Sequence, residues 1–119
     1  ALAAERGVPG ETYNIGGGAE LPNLTVIDRV CAEVDLAFEE IDGLADRYPD
    51  APAAKGGKSE SLKTFVTDRA GHDRRYAIDC RKIERELGYR PHNRFAEGFA
   101  ATLTWYLANE DWWQALLKR

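Results

Sequence analysis

The sequence of 119 residues contains no methionine and only two cysteines. Because translation starts with methionine, we expect the chain to be an excised C-terminal fragment of a longer protein. Cys31 and Cys80 show no CxxC spacing, which predicts two reduced thiols in a cytoplasmic protein. Neither His72 nor His92 is grouped with a cysteine, so the sequence predicts no metal site.

Excess positive charge and long apolar runs are also missing. The formal net charge is −4, whereas nucleic-acid-binding proteins need a broadly basic face. No apolar run reaches the roughly 18–20 residues that cross a bilayer. We therefore expect neither a nucleic-acid nor a membrane partner. A hydrophobic content of 44% predicts one small globular domain over residues 1–119.

The familiar catalytic and cofactor patterns are absent as well. The chain has no G-x-S-x-G sequence, and no tyrosine is followed four residues later by lysine. The glycine triplet at residues 16–18 lacks the G-x-G-x-x-G spacing of a dinucleotide-binding loop. The sequence therefore predicts no catalytic residue and no cofactor-binding residue in this chain.

The hydrophobic patterns that are present predict an α/β protein, or α+β for the isolated fragment, with about four helices and two or three short strands. Residues 11–15 and 62–66 are rich in β-forming side chains and predict strands. A helical stripe follows Thr25, which we expect to be the N-cap. Residues 42–61, with two prolines and a glycine pair, predict a surface loop.

Helix ends are predicted by capping residues. Gly7 is expected to end a first short helix. Asp79 is placed to cap a helix that ends at Gly88, with the glycine as C-terminal cap. A long amphipathic helix is predicted from about Phe95, with a break near Asn109 and a final helical turn or two.

Residues 65–79, "FVTDRAGHDRRYAID", concentrate positive charge in an otherwise acidic chain. Arg69 offers a planar fork that matches phosphate oxygens, and His72 adds a second donor. Gly71 between them permits close approach of the backbone to a ligand. Asp68 is placed to accept from a sugar hydroxyl or to orient Arg69. One interpretation is therefore a diphosphate site.

A turn held by ion pairs is the other interpretation of residues 65–79. Exposed pairs of this kind contribute only about 0–1 kcal/mol each. The two interpretations are compatible if two arginines hold the turn while Arg69 and His72 bind. The pairs expected in such a turn join Arg69, Arg74 and Arg75 to Asp68, Asp73 and Asp79.

Asn23 precedes the first long helix, next to Pro22. An asparagine in this position is commonly a turn or cap residue. The alternative is a side-chain amide that contacts a base, a sugar or a phosphate. The residues alone leave both open.

Four segments, in order, resemble a known family: "GETYNIGG", "DRAGHDRRYAID", "KIERELGYRP" and "TWYLANEDWW". They are similar to the C-terminal part of the dTDP-glucose 4,6-dehydratases, which are extended short-chain dehydrogenases/reductases. The resemblance implies that residues 1–119 are the small C-terminal nucleotide-sugar-binding lobe of an extended Rossmann-type enzyme. The N-terminal Rossmann domain, which binds NAD and carries the catalytic groups, is then absent from this chain.

The resemblance also implies an activity and partners. In this family NAD⁺ oxidises C4 of the glucose, water is eliminated across C5–C6, and the hydride returns to C6. The product is dTDP-4-keto-6-deoxyglucose, used for rhamnose and other deoxysugars. The implied partners are the dTDP-sugar, the enzyme's own Rossmann domain and a second subunit of a homodimer. We expect the 119-residue chain alone to have no dehydratase activity.

The implied site lies in two parts of the chain. Ala70 stands where the family usually has proline, and the 42–61 loop is longer than usual and expected to lie away from the cleft. Two rival hypotheses remain: another nucleotide-sugar epimerase or decarboxylase, or a stand-alone nucleotide-binding or scaffold domain. The residues that the resemblance assigns to the substrate's nucleoside diphosphate are Asn23, Asp68, Arg69, Ala70, Gly71 and His72.

Overall fold

The computed structural model describes residues 1–73 and 75–117. Two short 3₁₀ turns, Ala53–Lys55 and Ser59–Leu62, lie between the third and fourth of its α-helices. No helix in this described part is both long and apolar enough to span a bilayer. The α-helices are α1 (Leu2–Arg6), α2 (Asn23–Glu40), α3 (Leu44–Arg47), α4 (Arg81–Leu87), α5 (Phe95–Ala108) and α6 (Glu110–Leu117).

The two predicted strands are not found in the described residues. Residues 11–15 are irregular. Leu62 is the last residue of a 3₁₀ turn, and residues 63–66 after it are irregular. A β-strand requires a partner strand, and the described chain contains only one isolated antiparallel bridge, between Pro22 and Arg75. The fold is therefore mostly helical, and the β part of the predicted class is not confirmed.

The start of α2 differs from the prediction. The N–H of Val26 donates to the carbonyl of Pro22 at 3.2 Å, so the helix begins at Asn23. Thr25 consequently lies inside the first turn and is not the N-cap. Proline fixes φ near −65°, and Pro22, with φ −58°, is the residue before the helix. The prediction relied on the Thr25 hydroxyl and did not use this proline.

Residues 42–61 lie mostly at the surface, as predicted, but they form α3 and two 3₁₀ turns where an irregular loop was expected. Gly43 takes φ +76° and starts α3, where Leu44 is only 1% exposed. Farther along, the N–H of buried Ser59 donates to a carboxylate oxygen of Asp35 on α2 at 2.9 Å. Short helical turns joined by left-handed glycines therefore hold this segment against α2.

A second buried cluster lies at α4, which contacts α1. Ile83 and Leu87 are 1% and 5% exposed. The carboxylate of Asp79 accepts the N–H of Arg81, the first residue of α4, at 2.9 Å. At the other end Gly88 takes φ +70°. The predicted end at Gly88 is therefore confirmed, whereas Cys80 occupies the N-cap position and Asp79 bonds the first turn from one residue before it.

The C-terminal helices agree with the prediction. Asn109 separates α5 from α6, and α5 begins at Phe95. Arg47 of α3 donates to the carbonyl of Leu107 at 2.8 Å and to the carboxylate of Glu110 at 3.0 Å. The pKa of Glu110 is lowered because its carboxylate accepts this bond. Arg47 thus ties the α5–α6 junction to α3.

The molecule is elongated. Its radius of gyration is 18.8 Å, whereas a compact domain of this length is expected near about 13–14 Å. The largest dimension is 55 Å. A chain of this shape with so few buried residues leaves much apolar surface exposed. The buried residues of the described part are Ala37, Leu44, Ser59, Ile83 and Leu87.

Candidate functional site

A groove of about 660 Å³ lies between the start of α2 and residues 62–73. Three of the predicted site residues line it: Asn23 from α2, and Asp68 and His72 from residues 68–72, which we call the charged loop. These residues are far apart in sequence, so the fold, and not local spacing, brings them together. We call this cavity the α2 groove.

Two contacts hold the ends of the α2 groove together. Pro22 forms the isolated bridge with Arg75. The Arg75 guanidinium also lies 3.4 Å from the carboxylate of Glu20. Because Asn23 directly follows Pro22, these contacts place its side chain next to the C-terminal end of the charged loop.

The loop at residues 68–72 is folded by its own polar groups. The carboxylate of Asp68 accepts the N–H of Arg69 at 2.8 Å. Nε of Arg69 donates to Nδ1 of His72 at 3.1 Å, while Gly71 between them takes φ +74°. With Nδ1 accepting, the proton of a neutral His72 imidazole lies on Nε2, which becomes a donor for a ligand.

The remaining predicted site residues lie beside the groove. Arg69, Ala70 and Gly71 are not among the residues that line it. Arg69 is connected to it through His72. The structure therefore brings three of the six predicted site residues to one cavity and bonds a fourth, Arg69, to one of these three.

The ion pairs expected in a salt-bridged turn are not those observed. Arg75 pairs with Glu20, and Asp79 pairs with Arg81. Asp68 accepts from a backbone N–H at residue 69. Arg74, which was expected to share this role, lies outside the described residues. The aspartate partners predicted for Arg69 and Arg75 are therefore wrong, and those predicted for Arg74 stay a prediction.

The charges around the α2 groove are mixed. The ammonium of Lys63 donates to a carboxylate oxygen of Asp28, and this bond raises the pKa of Lys63. Asp68 and Asp73 add two carboxylates to the lining. The groove therefore has no general attraction for anions, and a bound diphosphate would depend on directed donors such as those of Arg69 and His72.

Sequence reasoning missed the apolar part of the lining. Phe65 and Val66 line the α2 groove, as do Leu24 and Ile27 on the first turns of α2. Residues 62–66 were predicted to be a strand, and Phe65 was given no part in the site. The overlooked signal was its distance of only a few residues from the Arg–Gly–His sequence.

The glycine triplet does not fit a dinucleotide. Residues 16–18 connect irregular chain to irregular chain, without the strand before and the helix after that a phosphate-binding loop requires. Gly17 and Gly18 have no neighbouring heavy atom near an added Cβ. Over residues 1–73 and 75–117, moreover, no three histidine, cysteine or acidic side chains are grouped as metal ligands.

Curated relatives match almost the whole chain, although no family model does. The dTDP-glucose 4,6-dehydratase of Escherichia coli is 42% identical over 113 residues, which are 94% of this chain and 28% of that protein. The enzyme of the same name from Neisseria meningitidis serogroup B is 47% identical over 93% of this chain and 28% of its own length. That from Streptomyces antibioticus is 40% identical over 99% of this chain and 29% of its own length.

The chain thus spans less than a third of the length of these relatives. The resemblance inferred from four short segments extends, at 40–48% identity, over about 95% of the sequence. This chain is therefore homologous to the C-terminal part of the dTDP-glucose 4,6-dehydratases.

Proposed function

We propose that this chain binds the nucleoside diphosphate of dTDP-glucose, as the substrate-binding part of an NAD-dependent enzyme that forms dTDP-4-keto-6-deoxyglucose. The observation that carries the proposal is the α2 groove, to which the fold brings Asn23, Asp68 and His72 from distant parts of the sequence. The dehydratase activity is proposed because the relatives carry the name dTDP-glucose 4,6-dehydratase.

Arg69 and His72 supply the donors for the diphosphate. Among the described residues, the Arg69 guanidinium donates only through Nε, to His72. Its two terminal nitrogens remain for two phosphate oxygens, and bonds from a charged donor are about twice as strong as neutral ones. The bond to Nδ1 also leaves the Nε2 proton of His72 as a donor for the ligand.

Asn23 and Asp68 provide the contacts to the sugar and the base. The Asn23 amide has both a donor and an acceptor, which suits the polar edge of a base or a sugar hydroxyl. The second carboxylate oxygen of Asp68 accepts from a hydroxyl, since its first oxygen holds the N–H of Arg69. Each of these groups orients the ligand, and none is asked to react with it.

Binding of NAD and the reaction itself are assigned to polypeptide outside this chain. The glycine triplet does not fit the cofactor, and the relatives are more than three times as long. Under the proposal, elimination of water requires groups that these 119 residues do not supply. We therefore expect the purified chain to show no turnover of dTDP-glucose, and measurable turnover would contradict this part of the proposal.

Titration calorimetry with dTDP tests the binding role. We expect Arg69→Ala to weaken binding by roughly 10- to 100-fold, the usual effect of losing hydrogen bonds to a charged group. Arg90→Ala is the matched control, because this exposed arginine lies outside the groove and pairs with Glu84. Equal affinities for the two variants, or no binding of dTDP to the unmodified chain, would contradict the proposal.

A substrate panel distinguishes related enzymes. The relatives named here are dehydratases, which favours dTDP-glucose over the substrates of nucleotide-sugar epimerases or decarboxylases. Competition between dTDP and UDP for the α2 groove measures this preference. Tighter binding of UDP than of dTDP would favour another nucleotide-sugar enzyme.

A further inference from the structure

An exposed apolar wall forms one side of the α2 groove. Phe65 is 82% exposed and Val66 is 81% exposed. Leu24 and Ile27, 46% and 36% exposed, face the same cavity from α2. Among the described residues Phe65 forms no aromatic pair, so its ring face is available to a ligand.

The wall is fixed to α2 on one side. The Lys63 ammonium bonds to Asp28, and the N–H of Ser59 bonds to Asp35. Both acceptors lie on α2, two helical turns apart. Because these contacts immediately precede Phe65, its ring is presented at the edge of the groove from an anchored segment.

The order of residues along the wall matches the order of groups in a nucleotide. Phe65 provides an apolar face, and four residues later Arg69 begins the loop with the phosphate donors. Four residues of chain span at most about 14 Å, which leaves room for a pentose between a base and a diphosphate. His72, Asp68 and Phe65 line the same cavity.

We propose that Phe65 is the platform on which the nucleobase of the substrate stacks while Arg69 and His72 hold the diphosphate. This inference rests on the function proposed above and adds to it the residue that binds the base. A nucleobase has flat apolar faces and polar edges, so an aromatic ring beside an amide such as that of Asn23 suits it. Stacking tolerates different bases, so Phe65 increases affinity for nucleotides in general and leaves the choice of base to polar contacts.

Two ligands separate base binding from phosphate binding. dTDP carries both groups, whereas inorganic pyrophosphate carries only the second. We expect Phe65→Ala to weaken dTDP binding by roughly 5- to 100-fold, the range found when stacking on a base is removed. Its affinity for pyrophosphate should stay the same, and Phe65→Trp should retain the affinity for dTDP.

Tyr76→Ala is the matched control, since Tyr76 is an aromatic residue that is 71% exposed and does not line the α2 groove. It should leave both affinities unchanged. The inference is wrong if Phe65→Ala binds dTDP as well as Tyr76→Ala does, or if it weakens both ligands equally.

The Arg69→Ala variant separates failure of this inference from failure of the proposed function. If it weakens both ligands while Phe65→Ala weakens neither, the diphosphate site stands and Phe65 has no part in it. If the unmodified chain binds neither ligand, the proposed function fails and the inference fails with it.

Discussion

The helical segment 23–62 and the charged segment 63–79 adjoin in sequence and differ in how they are held. The first contains Ala37, Leu44 and Ser59, three of the buried residues of the described chain. The described residues of the second include no buried one, and Phe65 and Tyr76 there are 82% and 71% exposed. The helical segment is stabilised by burial, whereas the charged segment is held by polar contacts at its surface.

This difference bears on binding. Exposed ion pairs and hydrogen bonds contribute little each, so the charged segment is held less firmly than the helical segment. Lys63, Arg69 and Arg75 make the contacts that hold it. A ligand that bridges the segment to α2 must offset the cost of ordering it. We therefore expect binding to stabilise residues 63–79 more than any other part.

The largest expected effect is on the helical segment. Leu44→Ala removes a side chain that is 1% exposed and should lower the free energy of unfolding by about 2–5 kcal/mol, since a cavity replaces it. Val66→Ala, at 81% exposure, should change it by less than about 0.5 kcal/mol. Urea unfolding followed by circular dichroism measures both. Similar losses in the two variants would remove the distinction between the segments.

Two glycines with similar backbones offer a second test. Gly88 ends α4 at φ +70°, and Gly71 lies in the charged loop at φ +74°, each with open space where a Cβ would lie. An alanine is strained in this conformation by about 1–2 kcal/mol. Gly88→Ala should lower the free energy of unfolding by that amount, because Leu87 beside it is buried.

Gly71→Ala should instead leave the unfolding midpoint nearly unchanged and alter the loop locally. The contacts around Gly71 are exposed, so the loop relieves the strain without disturbing a core. A loss of global stability equal to that of Gly88→Ala would show that the charged segment unfolds together with the rest.

Local signals at three helix ends were the most predictable part of the fold, although the start of α2 was predicted wrongly. Asp79, Gly88 and Asn109 act locally, within a few residues of the backbone groups that they cap or interrupt, so the sequence alone indicated them. Residues 42–61 were not predictable in the same way. Their prolines and glycines indicated turns correctly, but burial of Leu44 and Ser59 against α2 depends on contacts between segments distant in sequence.

The predicted strands failed because a local pattern was present but its partner strand was not found in the described residues. Residues 11–15 have β-forming side chains, yet their contacts in the structure are made by side chains of the later chain. Lys82 bonds to Glu11 and to the carbonyl of Thr12, and the Tyr89 hydroxyl donates to the carbonyl of Gly16. Composition indicated an extended conformation, but a ladder needs a second strand, and composition cannot provide its position.

About half of the candidate site followed from local sequence. The residues of the Arg–Ala–Gly–His sequence at 69–72 left an anion site and an ion-paired turn open, and the resemblance then assigned these residues and Asn23 to the substrate. Asn23 lies near His72 because of the bridge between Pro22 and Arg75. Phe65 belongs to the wall because Lys63 bonds to α2 just before it. These are contacts between segments, for which a single sequence carries no periodic signal.

Lys63→Gln tests the contact that joins the two segments. Lys63 bonds to Asp28 on α2 at the start of the charged segment. Its loss should increase amide hydrogen exchange several-fold at Ser59 and at residue 63, whose N–H groups donate to Asp35 and to the carbonyl of Glu60, while leaving the middle of α2 unchanged. Lys55→Gln, which breaks an exposed pair with Asp50, should leave exchange at these two positions unchanged. Equal exchange in both variants would show that Lys63 does not anchor the wall.

The smallest expected effect concerns the end of the charged segment at low pH. The side-chain hydrogen bonds of Arg81, followed by its backbone N–H, hold the pKa of Asp79 well below its ordinary value. A carboxyl with a lowered pKa in the native state stabilises the fold fully above the unfolded-state pKa of about 3.9, and this contribution is lost as the pH falls toward the native pKa.

Asp79→Asn keeps an oxygen that can accept the Arg81 N–H and removes the charge. Unfolding midpoints in urea should therefore differ by a small constant amount between pH 6 and pH 7, with the unmodified chain the more stable, and should converge below about pH 4. Arg81→Gln should reduce this pH dependence in the same way. The double variant should show no further reduction, since both changes remove one interaction. A difference that grows as the pH falls would contradict the assignment, and α4 would then be capped mainly by its backbone geometry.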